Sequence, residues 1–513
     1  MDFYSKLSEL NAYSLLNNIP YEIINFHNSD LVDSFIRDIL LYNKKVLIYG
    51  DYDPDGAMCA LQWIEFFKFL GHRNFIIYNY FQRMHTLDPL SVETAINNKV
   101  DYIIINDAGS GALSEFKRLQ SRGIKCILLD HHKTENTYRD YPDNVAIINT
   151  TIENDLEGQI NKYQVSAGGL VYLVLDRYLR KYKNKTYKKL ACLALVSLYS
   201  DSMDMSNPIN RSIYYEAISS PTDEYPDFFY DYLNEYVIVS RRFFEWILVP
   251  RLNALFRAER FNLLNRYLFS KREFMRKEEI SAIVSDVIEF HGLSSEIVKK
   301  ISDIVDYSLD FKNFVIADLN TVNGRIDYGS LRIENYTGLV ANNLAGRFGK
   351  PCICLYSNGN VIKGSFRDLQ SRDFLSKFRI FSDSNGHPPA FGIRVDSYKF
   401  RDFIKNLNRL DNYLKNMDGK KEVITIKDYN LSPNSELLID MAKYNEFSGS
   451  VSAPLALIEK RITGNMNCNK DKYGNYNYKW GNYRIKSSNR LRVGSTVLLK
   501  PTKGKDITLF VIS

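Results

Sequence analysis

Short apolar runs alternate with amphipathic segments between residues 44 and 200. The apolar runs are rich in Val and Ile and end in polar residues or glycine, as in "KVLIYG", "NFIIYN", "VDYIIIND", "KCILLDHH" and "VAIINT", which is typical of buried strands. The segments between them, such as "AMCALQWIEFFKFLG" and "SEFKRLQSRG", have helical periodicity and end in a glycine. This alternation predicts a parallel sheet covered on both faces, which places ligands at the carboxyl ends of its strands.

The pattern changes after residue 210. Residues 210–310 have helical periodicity without strand signals, and Pro250 predicts a break in it. Strand and helix alternate again over 312–420, and the last stretch has short strands with basic and aromatic residues. We therefore expect an α/β protein of four parts: a parallel-sheet α/β domain (1–215), a helical connector (216–311), a smaller α/β domain (312–420) and a small β domain (421–513).

The composition is consistent with several folded domains. The chain has 513 residues, of which 45% are hydrophobic, enough to form real cores. Its 67 Lys and Arg against 60 Asp and Glu give a net charge of +7, which permits a polyanionic partner only where the charge is clustered. The six cysteines lack the two-residue spacing of a zinc knuckle, so we expect reduced, buried thiols.

The sequence carries no membrane signal. No apolar stretch approaches about 18 residues, and the N-terminus lacks a basic region followed by an apolar core. We therefore expect no membrane partner and a location in the cytoplasm of a bacterium or, for a phage protein, of its host. We also expect a monomer.

The segment "YGDYDPDGAM" places Asp51, Asp53 and Asp55 at alternate positions, where their charges repel unless a cation joins them. A calcium loop of the EF-hand type needs a glutamate at the position that Gln62 occupies, and a helix where the sequence predicts a strand. An acidic turn that caps the next helix would account for one or two of the three carboxylates. Neither interpretation accounts for the polar residues that follow the other strands.

Further acidic and imidazole groups follow the predicted strands. Asp107 ends a second strand, the triplet at 130–132 (Asp, His, His) ends a third, and Asp201 ends an apolar helix or strand. Carboxylate and imidazole ligands together suit Mn²⁺ or a similar divalent ion. Because two such ions stabilise both the attacking and the leaving oxygens of a phosphoryl displacement, the residues favour phosphoester hydrolysis.

Four segments in chain order resemble the motifs of the DHH phosphoesterase superfamily: "DYDPDG", "NDAG", "LLDHHKTE" and "SLYSDSMDM". This superfamily includes pyrophosphatases, phosphodiesterases for oligonucleotides and cyclic dinucleotides, and the RecJ single-strand exonucleases. The RecJ group is favoured by "ILVPRLNALFRAERF", by the DHHA1-like "YTGLVANNLAGRFGKPCICLY", "KGSFRD" and "SNGHPPAFGI", and by "LLIDMAKYNEFSGSVSAPLALIE". The resemblance spans roughly residues 44–460 and implies DHH and DHHA1 domains, then an OB-like β domain.

The resemblance also implies roles for individual residues. Two divalent ions, Mn²⁺ or Mg²⁺, would be held by Asp51, Asp53, Asp55, Asp107, His131 and Asp201, with Asp107 bridging them. Asp130 would orient the site, and His132 would stabilise charge on the scissile phosphate. Substrate would be bound by Arg83, Arg251, Asn253 and Arg257, and on the DHHA1-like domain by Ser365, Arg367, Gly386 and His387.

The chain departs from the family pattern at several positions. Val249 and Phe256 stand where RecJ proteins have glycines, as do Ser197 in the fourth metal motif and Asn385 before the Gly-His pair. Asp204 stands where proline is usual. Because every carboxylate of the metal motifs is present, these changes bear on the path of the substrate and not on metal binding.

The preferred hypothesis is a RecJ-like exonuclease that degrades single-stranded DNA from the 5′ end in repair, recombination or replication. A single-strand-binding protein or a helicase is the partner this role implies. Two alternatives stay open: a phosphodiesterase for short oligonucleotides or cyclic dinucleotides, and a non-catalytic replication scaffold. In the C-terminal domain, aromatic residues such as Tyr476 and Trp480 interleave with Lys479 and Arg484, a pattern shared by oligonucleotide-binding barrels and ordinary small sheets.

Overall fold

The chain folds into two compact units: residues 1–285, 424–449 and 455–513 form the first, and residues 286–423 and 450–454 form the second. The computed structural model describes residues 7, 13–16, 21–80, 87–156, 163–182, 185–219, 224–233, 238–270, 272–308, 311–327, 331–368, 374–380, 382–387, 390–414, 424–427, 436–447, 455–462, 468–471, 475–480, 483–502 and 508–512.

The first unit begins with a five-stranded parallel sheet in the order β2-β1-β3-β4-β5. Its strands are β1 (Val46–Gly50), β2 (Phe75–Ile77), β3 (Tyr102–Asn106), β4 (Lys125–Asp130) and β5 (Val145–Asn149). After β1 the chain forms β2 on one side of it and then crosses over to form β3 on its other side. The order in which strands are added therefore reverses between β1 and β3. Ligands of such sheets bind where the order reverses, at the carboxyl ends of the strands.

Helices cover both faces of this sheet. They are α1 (Ser29–Leu41), α2 (Pro54–Phe69), α3 (Pro89–Asn97), α4 (Leu113–Gln120), α5 (Thr150–Leu156), α6 (Ala167–Leu179), α7 (Lys185–Ser200) and α8 (Pro208–Ile218). On one face Leu47, Ile103 and Leu128 of the strands pack with Phe116 and Leu119 of α4. Helix α2 packs against α6 and α7. The predicted parallel α/β domain is confirmed.

A helical segment follows, as predicted, but Pro250 does not end a helix. The segment contains α9 (Arg241–Phe243), a π-helical turn (Phe244–Leu248), α10 (Val249–Arg257), α11 (Phe261–Phe269) and α12 (Lys277–Ile304). The backbone stays helical from α9 into α10, with Pro250 in the first turn of α10. Proline has no N–H and cannot donate a hydrogen bond to a carbonyl in the preceding turn. The wider π turn before Pro250 lets the helix continue without that hydrogen bond, where the sequence predicts a break.

The second unit contains a six-stranded sheet in the order β10-β11-β9-β8-β7-β6. The strands are β6 (Asp306–Ser308), β7 (Val315–Asp318), β8 (Cys352–Ser357), β9 (Val361–Arg367), β10 (Asp383–His387) and β11 (Ala390–Asp396). Its helices are α13 (Thr337–Phe348), α14 (Leu375–Phe378) and α15 (Phe400–Leu414), of which α13 packs on β8 and β9. This is the predicted smaller α/β domain.

The C-terminal part of the first unit is a small β domain with one helix, α16 (Glu436–Phe447), packed against it. Its strands, in the order β12-β13-β17-β18-β16-β15-β14, are β12 (Ile424–Lys427), β13 (Ala456–Arg461), β14 (Cys468–Lys470), β15 (Tyr476–Trp480), β16 (Tyr483–Ser487), β17 (Thr496–Thr502) and β18 (Thr508–Ile512). The side-chain amide of Asn445 in α16 donates to the carbonyls of Ala456 and Pro501, both at 2.9 Å.

Among the described helices, none combines the length and the apolar character that crossing a membrane requires. The fold class predicted from the sequence is confirmed, whereas the domain limits at 215, 311 and 420 stay predictions.

Candidate metal centre

Asp51 directly follows β1 and Asp107 directly follows β3, the two strands between which the strand order reverses. The amide of Asp51 donates to the carbonyl of Asn106 at 3.1 Å, and the amide of Asp107 donates to the carbonyl of Leu129 at 2.9 Å. Asp107 has a φ of 63°, a left-handed conformation that few residues other than glycine adopt and that aspartate tolerates. Strained backbone of this kind concentrates at functional sites.

Asp53 begins α2. Its side chain caps the helix, accepting a hydrogen bond from the amide of Gly56 at 2.9 Å. A Cβ atom on Gly56 would lie 2.2 Å from the amide nitrogen of Asp51, so the loop closes this tightly only with glycine at that position. The acidic turn is therefore real, but it uses one carboxylate as a cap and leaves Asp51 and Asp55 for other contacts.

Asp55 is completely buried. Its carboxylate accepts hydrogen bonds from the amides of Ala167 and Gly168, at 2.9 and 2.7 Å, and from the hydroxyl of Ser197. The two amides belong to the first turn of α6, where unpaired N–H groups and the helix dipole favour a negative charge. These contacts orient Asp55 from two helices distant in the sequence.

His131 joins the ends of the sheet to the end of α7. Its Nε2 atom lies 3.1 Å from Oδ1 of Asp107, 3.2 Å from Oδ2 of Asp201 and 3.8 Å from Oδ2 of Asp55. Three overlapping groups have ligand atoms within 4.8 Å of one another: Asp51, Asp53 and Asp107; Asp55, His131 and Asp201; and Asp107, His131 and His132. All six residues that the sequence suggests as metal ligands are therefore brought together, with His132 at the margin.

The electrostatics of this cluster call for a cation. Burial, reinforced by the neighbouring carboxylates, raises the pKa of Asp107 and of Asp55 well above the ordinary aspartate value. Neither carboxylate oxygen of Asp107 accepts a hydrogen bond from the described residues, although both are buried. Oxygen and imidazole ligands are the set that divalent ions such as Mn²⁺ accept, so the residues fit the ions that the sequence implies.

Asp130 holds His132 beside the cluster. One oxygen of Asp130 accepts from Nδ1 of His132 at 2.9 Å, and the other accepts from the hydroxyl of Ser110 at 2.6 Å. Burial alone would raise the pKa of Asp130, but the His132 ring and these hydrogen bonds hold it well below its usual value. Partial burial of the imidazole opposes its charge, yet Asp130 outweighs that effect and raises the pKa of His132 to about 10. The His132 side chain is 55% exposed, so a cation faces solvent next to the carboxylates.

Sequence reasoning did not assign a role to three residues of this network. In the sequence, Ser197 stands out only as a departure from a family glycine, and Ser110 carries no signal of its own. The side-chain amide of Asn149 donates to the Ser110 hydroxyl and to the His132 carbonyl, both at 2.9 Å. The sequence signal for Asn149 is its position at the end of a predicted strand. In the structure it lies beside Asp130 on the neighbouring strand.

The residues of the RecJ-like helical motif lie on α10 and belong to none of the three metal-ligand groups. Arg251 donates to the carbonyl of Ile247, and its guanidinium lies 5.0 Å from the centre of the Tyr232 ring. Asn253 and Arg257 are half-buried on the same helix. The structure therefore places Arg251 in contacts within the protein, while Asn253 and Arg257 stay candidates for binding substrate.

Phe256, which replaces a family glycine, connects α10 to the first metal motif. Its ring packs edge-on against Tyr52 and Tyr80, with centroids 5.1 and 5.6 Å apart. Its carbonyl accepts a hydrogen bond from the Tyr52 hydroxyl at 3.0 Å. Because Tyr52 lies between Asp51 and Asp53, the end of α10 is fixed to the loop that carries two candidate ligands.

In the second unit, Ser365 and Arg367 of β9 meet the start of α13. The Ser365 hydroxyl lies 2.9 Å from that of Thr337, and Arg367 donates to the carbonyl of Phe366 at 2.7 Å. A Cβ atom on Gly338 would lie 2.5 Å from Nη2 of Arg367, so the guanidinium lies directly over the helix start. Burial lowers the pKa of Arg367 to about 10, which leaves it charged at neutral pH. Gly338 is a contributor that sequence reasoning did not select.

Three further sequence-based candidates have limited descriptions. Gly386 lies in β10 with a φ of 135°. The backbone of His387 ends the same strand, but its side chain lies outside the described part of the chain, as does the whole of Arg83.

The sequence of this chain is similar to those of known proteins. The model of the DHH family, N-terminal domain, matches residues 45–198. A putative SPbeta prophage-derived single-strand DNA-specific exonuclease, YorK of Bacillus subtilis, is 22% identical over 478 residues, covering 87% of this chain and 78% of the relative. The single-stranded-DNA-specific exonuclease RecJ of Bacillus subtilis is 23% identical over 408 residues, covering 75% and 48%.

Solved structures share the fold. The structure of RecJ from Thermus thermophilus in complex with Mn²⁺ matches with a TM-score of 0.70 at 15% identity, covering 99% of this chain and 74% of that one. The Mg²⁺ complex from the same organism matches with a TM-score of 0.63 at 14% identity, covering 99% and 73%. Residues 45–198, which contain the five-stranded sheet and every candidate metal ligand except Asp201, are thus similar to the N-terminal domain of the DHH family.

Proposed function

We propose that this protein is a metal-dependent exonuclease that hydrolyses phosphodiester bonds of single-stranded DNA, proceeding from the 5′ end. The observation that carries the proposal is the overlap of three ligand groups, two of which share the buried Asp107. Relatives named as single-strand DNA-specific exonucleases support the choice of substrate. Structural neighbours solved with Mn²⁺ and with Mg²⁺ support the choice of ions.

Two divalent ions would be held by the six residues brought together at the strand ends, with Asp107 common to both. Ions of this kind lower the pKa of water and neutralise charge on the oxygens that exchange at phosphorus. The buried hydrogen bonds to Asp55 fix its carboxylate in advance, so that little reorganisation accompanies ion binding.

His132 would act on the substrate through its charge. Because Asp130 accepts from Nδ1, the other ring nitrogen, Nε2, is left to donate to a phosphate oxygen. The half-exposed position of the ring gives a phosphodiester access to that donor. A cation held in place before the substrate arrives stabilises the negative charge that develops on the phosphate in the transition state.

A second phosphate contact is proposed on the second unit. Ser365, Arg367 and the first turn of α13 together offer a hydroxyl, a guanidinium and backbone N–H groups. Phosphate oxygens accept from all three kinds of donor. We infer that this group of donors binds the backbone of the strand during DNA repair, recombination or replication, where a single-strand-binding protein or a helicase would present the DNA.

Digestion of DNA and RNA strands of graded length, labelled at either end, tests this proposal. With Mn²⁺, the 5′ label should appear at once in the shortest product, whereas a strand labelled at its 3′ end should become shorter progressively. Duplex DNA should resist hydrolysis. Faster hydrolysis of dinucleotides than of long strands would instead support a phosphodiesterase for short substrates. A protein that binds Mn²⁺ and DNA without hydrolysing any strand would be a scaffold.

A further inference from the structure

Trp246 is 71% exposed, although tryptophan is a residue that proteins usually bury. It lies in the π-helical turn, whose neighbours hold the helix firmly to the protein. The rings of Phe244 and Tyr199 stack with centroids 5.2 Å apart and planes 4° apart, and Phe243 packs against Phe229 at 5.3 Å. The exposure of Trp246 is therefore fixed by packing on the opposite side of the helix.

Trp246 belongs to a stripe along one side of this helical segment. Residues three or four apart in a helix lie on one face, and here they are Arg242, Trp246, Pro250, Asn253 and Arg257. None of these five is buried, whereas Leu248, Leu252 and Leu255 are. We call this set the α10 stripe.

The α10 stripe contains two arginines, Arg242 and Arg257, and no acidic residue. Residues 241–260 contain five arginines and two glutamates, so this short segment has a net charge of +3 in a chain whose total is +7. Within the described part of the chain, Arg242 forms no ion pair, and it lies one turn from Trp246. An exposed indole beside a guanidinium is the combination that holds single-stranded nucleic acids, because every base offers an aromatic face and every nucleotide a phosphate.

We propose that Trp246 is a stacking platform for a nucleobase of single-stranded DNA and that Arg242 binds the adjoining phosphate. This inference rests on the proposed exonuclease function and assigns a part of the strand path. The end of α10 is fixed to the loop of Asp51 and Asp53 by the hydrogen bond from Tyr52 to Phe256. The turn that carries Trp246 is held near the other side of the cluster, because Phe244 stacks on Tyr199, two residues before the candidate ligand Asp201.

Tryptophan fluorescence observes the platform directly, because the chain has three tryptophans. Trp63 is fully buried and donates to the side chain of Asn106 at 3.0 Å, so it should not respond to DNA. Replacing the third by Trp480→Phe leaves Trp246 as the responsive fluorophore. Adding oligo(dT) in EDTA, which prevents cleavage, should quench the emission of this variant, and no quenching should occur when Trp246→Phe is added.

Binding measurements provide the matched comparison. Trp246→Ala should weaken oligo(dT) binding about fivefold to a hundredfold, the effect of losing one stacked base, while Trp246→Phe keeps most of the affinity. The control Tyr398→Ala removes an equally exposed aromatic ring, 79% exposed, and should leave binding unchanged.

The possible results separate the two proposals. If the wild type degrades single-stranded DNA but Trp246→Ala binds oligo(dT) as tightly as the wild type, the platform is wrong and the exonuclease proposal stands; the exposed indole would then be a contact for a protein. Equal weakening by Trp246→Phe and Trp246→Ala also overturns stacking. If quenching occurs and no strand is cleaved, the platform stands and the exonuclease proposal fails.

Discussion

Nε2 of His131 lies 3.1 Å from Oδ1 of Asp107, and the two side chains are only 4% and 1% exposed. Such a pair at the junction of two strands could be a simple structural contact. Here Asp107 also faces Asp51 and Asp53, and His131 also faces Asp55 and Asp201. Both residues are shared between candidate ligand groups, as we expect of the proposed binuclear centre and not of a single ion pair.

Asp107→Asn should stabilise the metal-free protein. The pKa of Asp107 is raised by burial and by nearby carboxylates, so keeping it ionised at neutral pH costs free energy of folding that the amide avoids. Asparagine also tolerates the left-handed backbone. In EDTA the midpoint of thermal unfolding should rise by about 1–2 °C for each kcal/mol gained. With Mn²⁺ the order should reverse, because only the wild type gains the free energy of ion binding.

The matched control for that experiment is Asp143→Asn, which removes an exposed carboxylate just before β5. Its unfolding midpoint should follow that of the wild type in both EDTA and Mn²⁺. An Asp107→Asn protein that is less stable than the wild type in EDTA would show that Asp107 is a structural residue.

Ser197→Ala should weaken Mn²⁺ binding about tenfold, since hydrogen bonds to metal ligands typically contribute that much to affinity. The hydroxyl of Ser197 donates to Asp55, which is completely buried. Isothermal titration calorimetry with Mn²⁺ measures the effect. Ser200→Ala is the control, because its hydroxyl donates only to the Ser197 carbonyl, at 2.8 Å. Equal Mn²⁺ affinities for the two variants would argue against the role of Ser197.

Gly338→Ala should raise KM for long DNA strands about tenfold or more, with kcat unchanged, because the new methyl group would displace the Arg367 guanidinium and remove a charged hydrogen bond to phosphate. Gly292→Ala is the control: it lies in α12 with no atom within 4 Å of the added Cβ. This second change should stabilise the fold by about 0.5–1 kcal/mol and leave KM alone. Equal KM values for the two variants would show that the start of α13 does not bind the substrate.

Asp130→Asn should lower kcat about tenfold or more while leaving Mn²⁺ affinity near that of the wild type. The amide cannot accept every hydrogen bond that Asp130 accepts from His132 and Ser110, so the imidazole loses its charge and its orientation. Steady-state kinetics and calorimetry separate the two effects. If kcat is unchanged, the proposed action of His132 on the phosphate is wrong.

The placement of the candidate ligands and of Asp130 at one edge of the sheet could be predicted from the sequence, because the rule that governs it is local. Asp51, Asp107 and Asp130 each end or follow an apolar strand, and parallel strands bring their ends to one edge of a sheet. The contacts of Ser197 and Gly338 could not be predicted, since each depends on how a helix docks against a distant loop or strand. The π turn before Pro250 likewise depends on how Phe243 and Phe244 pack.

We propose that the buried carboxylates hold divalent ions with which the protein hydrolyses single-stranded DNA. Cleavage of a 5′-labelled single strand with Mn²⁺ by the wild type, Asp107→Asn and Asp143→Asn tests this proposal. We predict hydrolysis by the wild type and by Asp143→Asn, and a loss of at least about a hundredfold with Asp107→Asn. Equal rates for all three proteins would contradict the claim.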